Sequence, residues 1–441
     1  MSEIIRDLEI TALVHGGRGI GHHEGQAVFV PQTAPGDRVA CQIVRRKRRY
    51  LEAELCEVLF PSPLRRVPPC PYFGTCGGCQ WQHLPYREQV RWKAKLFSEL
   101  MVRNKVVTAD RVKPIIAAPD EWNYRNRVQL KCHDTPAGLV VGFYRHGSHF
   151  VVDVDTCRIV SLHIQRALEL LRAGLQKAPC RGSIPQVDVA CGDDGEVRII
   201  LHTLPNGQRP LRSWLQDFAR HHRLNACMQL GRKETLEVIQ GVGDLTVMVD
   251  QPGMPLRYGP GGFVQVNPAQ NRSMVAAMLD LLNLQGTENV LDLFCGMGNF
   301  SLPVARRAGR VAGVEDYAPS IASARSNAET NAIDNVEFHA ADAARIMSGY
   351  RAGALDLVIL DPPRTGNYQA ARQLLSIRPE RILYVSCDPA TLARDLVPLV
   401  NGGYQVLASQ PFDLFPQTWH IESMTLLKRN DSQTGQKKTP K

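Results

Sequence analysis

One stretch of the chain reads Val290-Leu291-Asp292-Leu293-Phe294-Cys295-Gly296-Met297-Gly298-Asn299-Phe300, an apolar run that leads into a Gly-x-Gly turn. The run predicts a buried strand, and the residues after the turn predict the start of a helix. Such a turn lets the backbone approach a ligand closely at the carboxyl edge of a parallel sheet. The turn alone does not identify that ligand, because dinucleotide sites use similar turns. The third glycine of the dinucleotide fingerprint is absent here, which counts against a dinucleotide.

Strands and helices alternate regularly around this stretch. Strands separated by crossover helices predict a parallel, doubly wound sheet, so residues 263–430 are expected to form a Rossmann-like α/β domain. The predicted strands are residues 289–293, 310–314, 335–339, 355–360 and 381–386. The predicted helices are residues 268–284, 298–308, 318–331, 367–376 and 389–399.

Residues 1–62 have a different pattern, in which short apolar strands alternate with glycine-rich turns. Several short strands at this spacing predict a small OB-like β-barrel. The turn Pro35-Gly36-Asp37 and the basic strand after it resemble a TRAM domain, which implies RNA binding. The densest basic run, Arg45-Arg46-Lys47-Arg48-Arg49, is either part of such a binding surface or a solvated strand edge.

Residues 63–262 are predicted to form a central α+β domain, because strands carry most of the pattern from residue 123 to 249 and helical stretches interrupt them. Segments rich in proline and glycine, at 61–71 and 252–262, mark its boundaries. Helices within residues 82–113 can pack on the C-terminal domain. The polar tail, residues 431–441, is predicted to be disordered.

Length and composition set the broad class of protein. A chain of 441 residues predicts two or three domains, and 44% apolar with 22% charged residues is ordinary for a globular protein. Without a run of 18 apolar residues or a signal-peptide core, we expect a cytoplasmic protein with no membrane partner. The net charge is +9, and residues 1–262 alone carry a balance of +9, which indicates that this part binds a polyanion.

Acidic residues follow successive strands of the predicted C-terminal sheet. Asp292 lies in the first strand, Glu315 ends the second and Asp342 comes after the third. This order fits S-adenosylmethionine better than a dinucleotide, with Glu315 accepting hydrogen bonds from the two ribose hydroxyls and Asp342 placed at the adenine amino group. Cys295, between the strand and the glycines, is interpreted as a packing residue.

Three later segments carry reactive side chains. Asp361-Pro362-Pro363-Arg364 follows one predicted strand, Ser386-Cys387-Asp388-Pro389 follows the next, and Glu422 comes near the end. A thiolate that adds to C6 of uracil makes C5 nucleophilic toward a methyl donor, and a carboxylate can then remove the C5 proton. The set therefore predicts methylation at C5 of uracil, with Cys387 as nucleophile and Glu422 as base. Arg364 is a candidate to hold a phosphate or the uracil.

Residues 263–428 resemble the RNA uracil-C5 methyltransferases, with matching motifs at 261–267, 292–300, 361–364 and 386–389 and around Glu422. The resemblance implies a stacking face for the flipped uracil at Phe263. Gln417 stands where the family often has His, and Asp342 stands where Asn also occurs, which leaves the fine positioning of the substrate open. The cofactor-binding residues that the resemblance implies are Gln265, Phe294, Asn299, Glu315, Asp342 and Asp361.

Cysteines form a second candidate site. Cys70, Cys76 and Cys79 are closely spaced among glycines, and the resemblance adds Cys157 as a fourth ligand. Four thiolates suit structural zinc or a [4Fe–4S] cluster, and spacing alone slightly favours zinc. The resemblance to the TRAM-containing family members that act on ribosomal RNA favours the iron–sulfur cluster, which we expect to act as a structural staple.

Several functions are compatible with these features. The resemblance implies a uracil in 23S ribosomal RNA as the target, with another ribosomal site or the tRNA T-loop as the alternative. A radical enzyme is disfavoured, because those enzymes use a three-cysteine cluster of different spacing. A non-catalytic iron–sulfur RNA-binding protein would need neither Cys387 nor Glu422. No obligate protein partner is inferred.

Overall fold

The computed structural model describes residues 3–231, 235–250 and 253–430, so the tail predicted at 431–441 lies outside the described residues. Within the described ranges, no helix is long and apolar enough to cross a membrane. The chain builds three large sheets in sequence order, with one small hairpin between the second and the third. The domain boundaries near residues 62 and 262 stay predictions.

The N-terminal sheet has the strand order β1-β5-β6-β4-β3-β2, antiparallel except where β4 pairs with β6. Alternate residues of its central strand, Val39, Cys41 and Ile43, are buried, as expected for strands with one face on a core. The strands are β1 (Ile4–Glu9), β2 (Ala12–Leu13), β3 (Gly19–His23), β4 (Gln26–Val30), β5 (Arg38–Arg46) and β6 (Tyr50–Phe60).

The central sheet has the order β13-β12-β11-β10-β7-β8-β9, and two amphipathic helices pack on it. Its strands are β7 (Arg127–Thr135), β8 (Gly138–Tyr144), β9 (Val151–Asp153), β10 (Gln186–Cys191), β11 (Val197–Thr203), β12 (Asn225–Leu230) and β13 (Glu237–Gln240). The helices are α2 (Leu162–Leu175) and α3 (Gln208–His222), and the hairpin is β14 (Leu245–Met248) with β15 (Pro255–Tyr258). Short 3₁₀ turns lie at Ala109–Arg111, Arg181–Ser183 and Pro205–Gly207.

Helix α1 (Tyr86–Arg103) packs on the C-terminal sheet, although it precedes the central strands in sequence. Its apolar face places Phe97, Leu100 and Met101 in the same core as the C-terminal helices. The other elements of this region are α4 (Pro268–Leu282), β16 (Asn289–Leu293), α5 (Ser301–Ala305), β17 (Arg310–Glu315), α6 (Ala318–Thr330), β18 (Val336–Ala340), α7 (Ala343–Met347), β19 (Leu357–Leu360), α8 (Tyr368–Ile377), β20 (Arg381–Ser386), α9 (Pro389–Asn401), β21 (Tyr404–Phe412) and β22 (Glu422–Arg429).

The C-terminal sheet has the order β18-β17-β16-β19-β20-β22-β21, which confirms the predicted doubly wound α/β arrangement. Strands β16 to β20 are parallel, whereas β22 is antiparallel to both of its neighbours. The first residue of β22 therefore lies at the edge where the parallel strands end, and Ser423 pairs with Ser386 there. This reversal brings the late segment around Glu422 to the carboxyl edge of the sheet.

Two sequence expectations differ from the structure. The helix predicted over 298–308 is only the short α5, because the turn extends as far as Phe300. Strands β21 and β22 were not predicted. They are buried on nearly every residue, so their sequences lack the alternation that marks a strand with one exposed face.

Candidate active site

The Gly-x-Gly turn after β16 is held against the end of β17. The backbone N–H groups of Phe294 and Cys295 donate to the Val314 carbonyl at 2.8 and 3.0 Å. Gly296 donates its N–H to Glu315 Oε2 at 3.3 Å. Gly298 has φ of +94°, a conformation that suits glycine. The turn is thereby fixed beside the carboxylate that was predicted to bind ribose.

Five of the predicted cofactor and uracil residues line one cavity at this turn, and they come from three separate segments of the chain. Within it, Gln265 is buried, and the amides of Asn299 and Asn271 bond each other reciprocally at 2.8 and 3.1 Å, which fixes the orientation of Asn299. The five residues are Phe263, Gln265, Phe294, Asn299 and Asp361.

Buried carboxyl groups surround this cavity. Asp292 is fully buried and accepts a hydrogen bond from Ser301 Oγ through Oδ2, while no described residue donates to its Oδ1. Burial raises the pKa of Asp292 to about 7, and the nearby charge of Asp361 adds to the shift. Burial and the charge of Glu315 raise the pKa of Asp361, also to about 7. Such a group of acids, with one unpartnered buried oxygen, fits a positively charged ligand.

Two predicted cofactor residues, Glu315 and Asp342, do not line this cavity, although Glu315 accepts the N–H of Gly296 in the turn beside it. Asp342 is exposed, and its Oδ1 accepts the N–H of Arg345 at 3.1 Å as the N-cap of α7. A capping carboxylate at a strand end is a common local feature, so its contact with adenine stays a prediction.

The predicted nucleophile and base come together at the carboxyl edge of the sheet. Cys387 follows β20, and Glu422, 4% exposed, opens the antiparallel β22. Burial, and then the charges of Glu422 and Asp361, raise the pKa of the Cys387 thiol to about 12, whereas Arg364 opposes that shift. Burial and the charge of Asp361 raise the pKa of Glu422 well above its ordinary value. The thiol and the two carboxyls therefore share one electrostatic environment.

Aromatic and basic side chains lie near these groups, since Phe263 lines the cavity and the charge of Arg364 acts on the Cys387 thiol. Phe263 is 63% exposed, and its stacking on a base stays a prediction. The Arg364 guanidinium lies 5.4 Å from the centre of the Trp419 ring, and the rings of Trp419 and His420 are 4.2 Å apart. Trp419 was not identified from the sequence, where an aromatic residue in a loop gives no signal of its own.

The loop that leads to β22 is anchored by buried polar contacts that the sequence did not indicate. Lys93 Nζ donates to Asp413 Oδ1 at 2.6 Å, and both side chains are fully buried. Gln417, with φ of +71°, accepts a hydrogen bond from Gln89 at 2.9 Å through its side-chain oxygen and donates to Glu121 at 3.0 Å. Gln417 is fully buried, and these contacts hold the loop in place.

The cysteines expected to bind metal line a second cavity, of about 240 Å³, which includes Cys70, Cys76, Cys79 and Cys157. Burial, and then the neighbouring thiols, raise the pKa of Cys79 to about 12. Gln82, which also lines the cavity, is 2% exposed, and no described residue donates to its Oε1. Among the described residues, no three His, Cys, Asp or Glu side chains are gathered closely enough to hold a single ion.

Comparisons with known proteins agree with this geometry. Residues 86–430 match the family tRNA (Uracil-5-)-methyltransferase, and residues 5–56 match the TRAM domain. The chain is 38% identical to the 23S rRNA (uracil(1939)-C(5))-methyltransferase RlmD of Alkalilimnicola ehrlichii, over 96% of both chains. It is 36% identical to RlmD of Photorhabdus laumondii, over 94% of both chains.

A solved structure is similar over the same length. The tRNA (uracil-54, C5)-methyltransferase of Pyrococcus abyssi, in complex with S-adenosyl-L-homocysteine, aligns with a TM-score of 0.73 and 25% identity. The alignment covers 95% of this chain and all of the other. The two proteins therefore share a fold over nearly the whole of this chain.

A parallel sheet with one inserted antiparallel strand, a glycine turn after its first strand and acids at the strand ends define the class of S-adenosylmethionine-dependent methyltransferases. Within that class, the chain belongs to the tRNA (uracil-5-)-methyltransferase family and carries a TRAM domain at its N-terminus.

Proposed function

We propose that this protein methylates C5 of a uracil in 23S ribosomal RNA with S-adenosylmethionine as the methyl donor. The observation that carries the proposal is the convergence of Cys387, Glu422 and Asp361 at one edge of the sheet, beside the cavity lined by Phe263 and Gln265. The target, the uracil at position 1939, rests on the names of relatives that align over nearly the whole chain.

The cavity is proposed to hold the cofactor through Gln265, Phe294, Asn299, Glu315 and Asp361, with Asp342 at its outer end. The unpartnered Asp292 Oδ1 and the raised pKa of Asp361 support a positively charged ligand there. S-adenosylmethionine, when bound, supplies an electrophilic methyl group on a positively charged sulfur. Phe263 and Arg364 are proposed to hold the flipped uracil and its phosphate at the entrance.

Cys387 Sγ, as a thiolate, is proposed to add to C6 of the uracil, which makes C5 nucleophilic. After C5 has taken the methyl group, Glu422 removes the C5 proton and the bond between Cys387 Sγ and C6 breaks. Its raised pKa makes the Glu422 carboxylate a stronger proton acceptor than an exposed glutamate. Burial and two carboxyls raise the pKa of the Cys387 thiol, so a positive charge must stabilise the thiolate. Arg364 lowers this pKa and is proposed to supply that charge.

The four-cysteine cavity is proposed to hold a [4Fe–4S] cluster through Cys70, Cys76, Cys79 and Cys157. All four cysteines line one cavity of about 240 Å³, which supports a ligand that the four thiols share. Four thiolates suit either structural zinc or a cluster, and the resemblance to the TRAM-containing family members that act on ribosomal RNA favours the cluster.

The direct test is to incubate the purified protein with methyl-labelled S-adenosylmethionine and total RNA from a strain that lacks this gene. We expect a single 5-methyluridine at position 1939 of 23S RNA. Label in the tRNA T-loop would keep the chemistry and replace the substrate, in agreement with the activity named for the archaeal neighbour. No label in any RNA would contradict the catalytic function.

Variants separate the two catalytic roles. Cys387→Ala should abolish methylation and leave RNA binding intact. Glu422→Gln should accumulate a covalent protein–RNA adduct, because elimination needs the C5 proton to be removed. Cys56→Ala is the matched control, since Cys56 is exposed in the N-terminal sheet and should keep full activity. The absence of any gel-stable adduct with Glu422→Gln would contradict these roles.

A further inference from the structure

The loop that follows β19 is fixed at its far end by the helix that follows Cys387. This loop, residues 361–367, begins at Asp361, carries Arg364 near its middle and leads directly into α8. Helix α9 begins two residues after Cys387. We call residues 361–367 the arginine loop.

A buried carboxyl group of α9 contacts the end of the arginine loop. Asp395 is fully buried, and its Oδ2 accepts the backbone N–H of Asn367 at 2.7 Å and the hydroxyl of Tyr384 at 2.6 Å. The Tyr384 oxygen accepts the same N–H of Asn367 at 3.2 Å. Burial, and then the contact with Asp395, raise the pKa of Tyr384, so its hydroxyl stays protonated and donates. These contacts fix the loop where it enters α8.

Two further side chains of α9 contact the backbone of the arginine loop. Arg394 donates through Nε to Asp395 Oδ1 at 2.7 Å and through Nη2 to the Thr365 carbonyl at 2.8 Å. In the first turn of the helix, Thr391 Oγ1 donates to the Arg364 carbonyl at 3.5 Å. Helix α9 therefore contacts the loop at residues 364, 365 and 367.

The arginine loop and Asp395 approach so closely that a glycine lies between them. Gly366 has φ of +68°, and a Cβ at this position would overlap Asp395 Oδ2 and lie 2.7 Å from Arg394 Nη2. A larger residue would therefore push the loop away from the carboxylate and strain its backbone.

The arginine loop carries the cation that acts on the nucleophile. Burial raises the pKa of the Cys387 thiol, the charges of Glu422, Asp361 and Asp388 raise it further, and Arg364 lowers it. Because the interaction between two charges weakens with distance, displacement of the loop would remove part of the effect of Arg364.

The start of the loop does not depend on α9. Asp361 directly follows β19, and its N–H donates to the Leu293 carbonyl at 3.3 Å. Loss of the contacts with α9 would therefore release Arg364 and leave the Asp361 carboxyl near the thiol.

We propose that Asp395 is a positioning residue that holds the arginine loop against α9 and so keeps the Arg364 guanidinium near the Cys387 thiol. The inference rests on the proposed function and deepens it, because it adds a residue that acts on the nucleophile through Arg364. One helix then sets the places of both reacting partners, since α9 follows Cys387 directly and binds the loop through Asp395.

The test measures the reactivity of Cys387 in the full-length protein. Alkylation by iodoacetamide is followed from neutral to alkaline pH, and mass spectrometry of the peptide that contains Cys387 separates this thiol from the other cysteines. The variant is Asp395→Asn, which keeps the size of the side chain. An amide has only one acceptor oxygen, so it cannot keep both the contacts with the loop and the contact with Arg394.

We expect alkylation of Cys387 at neutral pH to slow about three- to tenfold in Asp395→Asn, because a more distant Arg364 raises the thiol pKa and one pKa unit is a tenfold change in thiolate. The curve of log rate against pH should move to higher pH. The direct effect of removing a negative charge has the opposite sign, since it lowers the pKa of a nearby thiol. A move to lower pH, or no move, would overturn the inference.

Two further variants test whether Asp395 acts through the arginine loop. Gly366→Ala disturbs the same contact from the loop side and should move the curve in the same direction. Arg364→Gln removes the cation, so adding Asp395→Asn to it should cause no further shift. Shifts that add in the double variant would overturn the inference.

Glu288→Gln is the matched control for the loss of a buried carboxylate. Glu288 is 7% exposed and accepts the N–H groups of Gln285 and Gly286 just before β16, at the sheet edge opposite to Cys387. It should lower the Tm, as Asp395→Asn does, and leave the alkylation curve of Cys387 unchanged. An equal shift in Glu288→Gln and Asp395→Asn would reflect a general loosening of the domain and overturn the inference.

Alkylation needs neither RNA nor methyl transfer, so its outcome is distinct from that of the proposed function. If the wild type methylates no RNA and the curve of Asp395→Asn still moves to higher pH, the proposed function fails and the positioning of Arg364 by Asp395 is supported. If the wild type methylates RNA and the curve does not move, the proposed function is kept and this inference is overturned.

Discussion

The imidazole Nε2 of His15, in a turn of the N-terminal barrel, lies 3.7 Å from Oδ2 of Asp388, the residue that follows Cys387. Asp388 also caps α9 by accepting the N–H groups of Ala390 and Thr391. Although burial raises it, the pKa of Asp388 is lowered, because the contact with His15 and these N–H groups stabilise the carboxylate. The RNA-binding module thus touches the loop that carries the proposed nucleophile.

Replacing His15 should therefore slow catalysis without weakening RNA binding. For His15→Ala we expect kcat to fall about three- to tenfold, the effect of losing one polar contact that orients a catalytic loop, with KM for RNA unchanged. His15→Gln, which keeps a donor, should recover part of the loss. His22→Ala is the control, because His22 is exposed in the same barrel. A rise in KM with unchanged kcat would assign His15 to RNA binding instead.

Contacts of this kind mark the limit of what the sequence predicts. The turn at residues 294–298 and the place of Cys387 after a strand were predictable, because an apolar strand followed by glycine, or a cysteine after a strand, is a local pattern. Glu422 was proposed as the base, but its place at the sheet edge depends on β22, which was not predicted. His15 and Asp388 are far apart in sequence, and only the docked barrel brings them together. The pair formed by Lys93 and Asp413 is hidden for the same reason.

The cysteines show the same division between local and long-range information. Cys70, Cys76 and Cys79 are close in sequence, whereas Cys157 could be added only through the resemblance to a family. The structure places all four around one cavity, but neither the spacing nor the cavity names the metal. Gly77, which lies between Cys76 and Cys79, donates its N–H to the Tyr144 carbonyl. This hydrogen bond has no sequence signal, since any backbone carbonyl can accept an N–H.

The identity of the metal gives a second prediction. Purified without oxygen, the wild type should contain iron and acid-labile sulfide with visible absorbance, and Cys157→Ser should lose them. Cys132→Ser is the matched control, because Cys132 is a half-buried cysteine of β7 that lies outside the cavity. Zinc without absorbance would replace the cluster by a single ion, and no metal in the wild type would contradict both.

Cofactor affinity should depend on pH. Burial raises the pKa of Asp292 and Asp361 to about 7 in the free protein, so both carboxyls are partly protonated at neutral pH. A positively charged ligand favours the ionised forms, lowers these pKa values and releases protons when it binds. Affinity should therefore rise with pH up to about 7 and level off above it, by at most about tenfold per pH unit for each proton released.

Calorimetric titration at pH 6 and pH 8 checks this expectation with S-adenosylmethionine and with S-adenosylhomocysteine, which lacks the sulfonium charge. The affinity for S-adenosylhomocysteine should depend less on pH than the affinity for S-adenosylmethionine. Asp361→Asn, which removes one titrating group but keeps the size of the side chain, should flatten the curve for the charged ligand. Equal affinities for S-adenosylmethionine at the two pH values would show that these carboxyls do not face the cofactor.

The basic run of the barrel is only partly free to bind RNA. Arg45 lies 3.9 Å from a carboxylate oxygen of Glu52, and Arg46 pairs with Glu3, so both are engaged within the sheet. Lys47, Arg48 and Arg49 are exposed at the turn between β5 and β6. If these three contact phosphates of single-stranded RNA, each should contribute about 0.7 to the slope of log affinity against log salt.

Replacing Lys47, Arg48 and Arg49 together by Ala should therefore reduce that slope by about 2 and weaken binding mainly at low salt. The control replaces Arg345, Arg351 and Arg372, three exposed arginines of the catalytic domain, and removes the same net charge. Because phosphate contacts release counterions only where they form, the control should leave the slope unchanged even though it alters the overall field. An equal change of slope in the two triple variants would mean that the turn acts through net charge alone. An unchanged slope after replacement of Lys47, Arg48 and Arg49 would mean that the turn is a solvated strand edge that does not contact RNA.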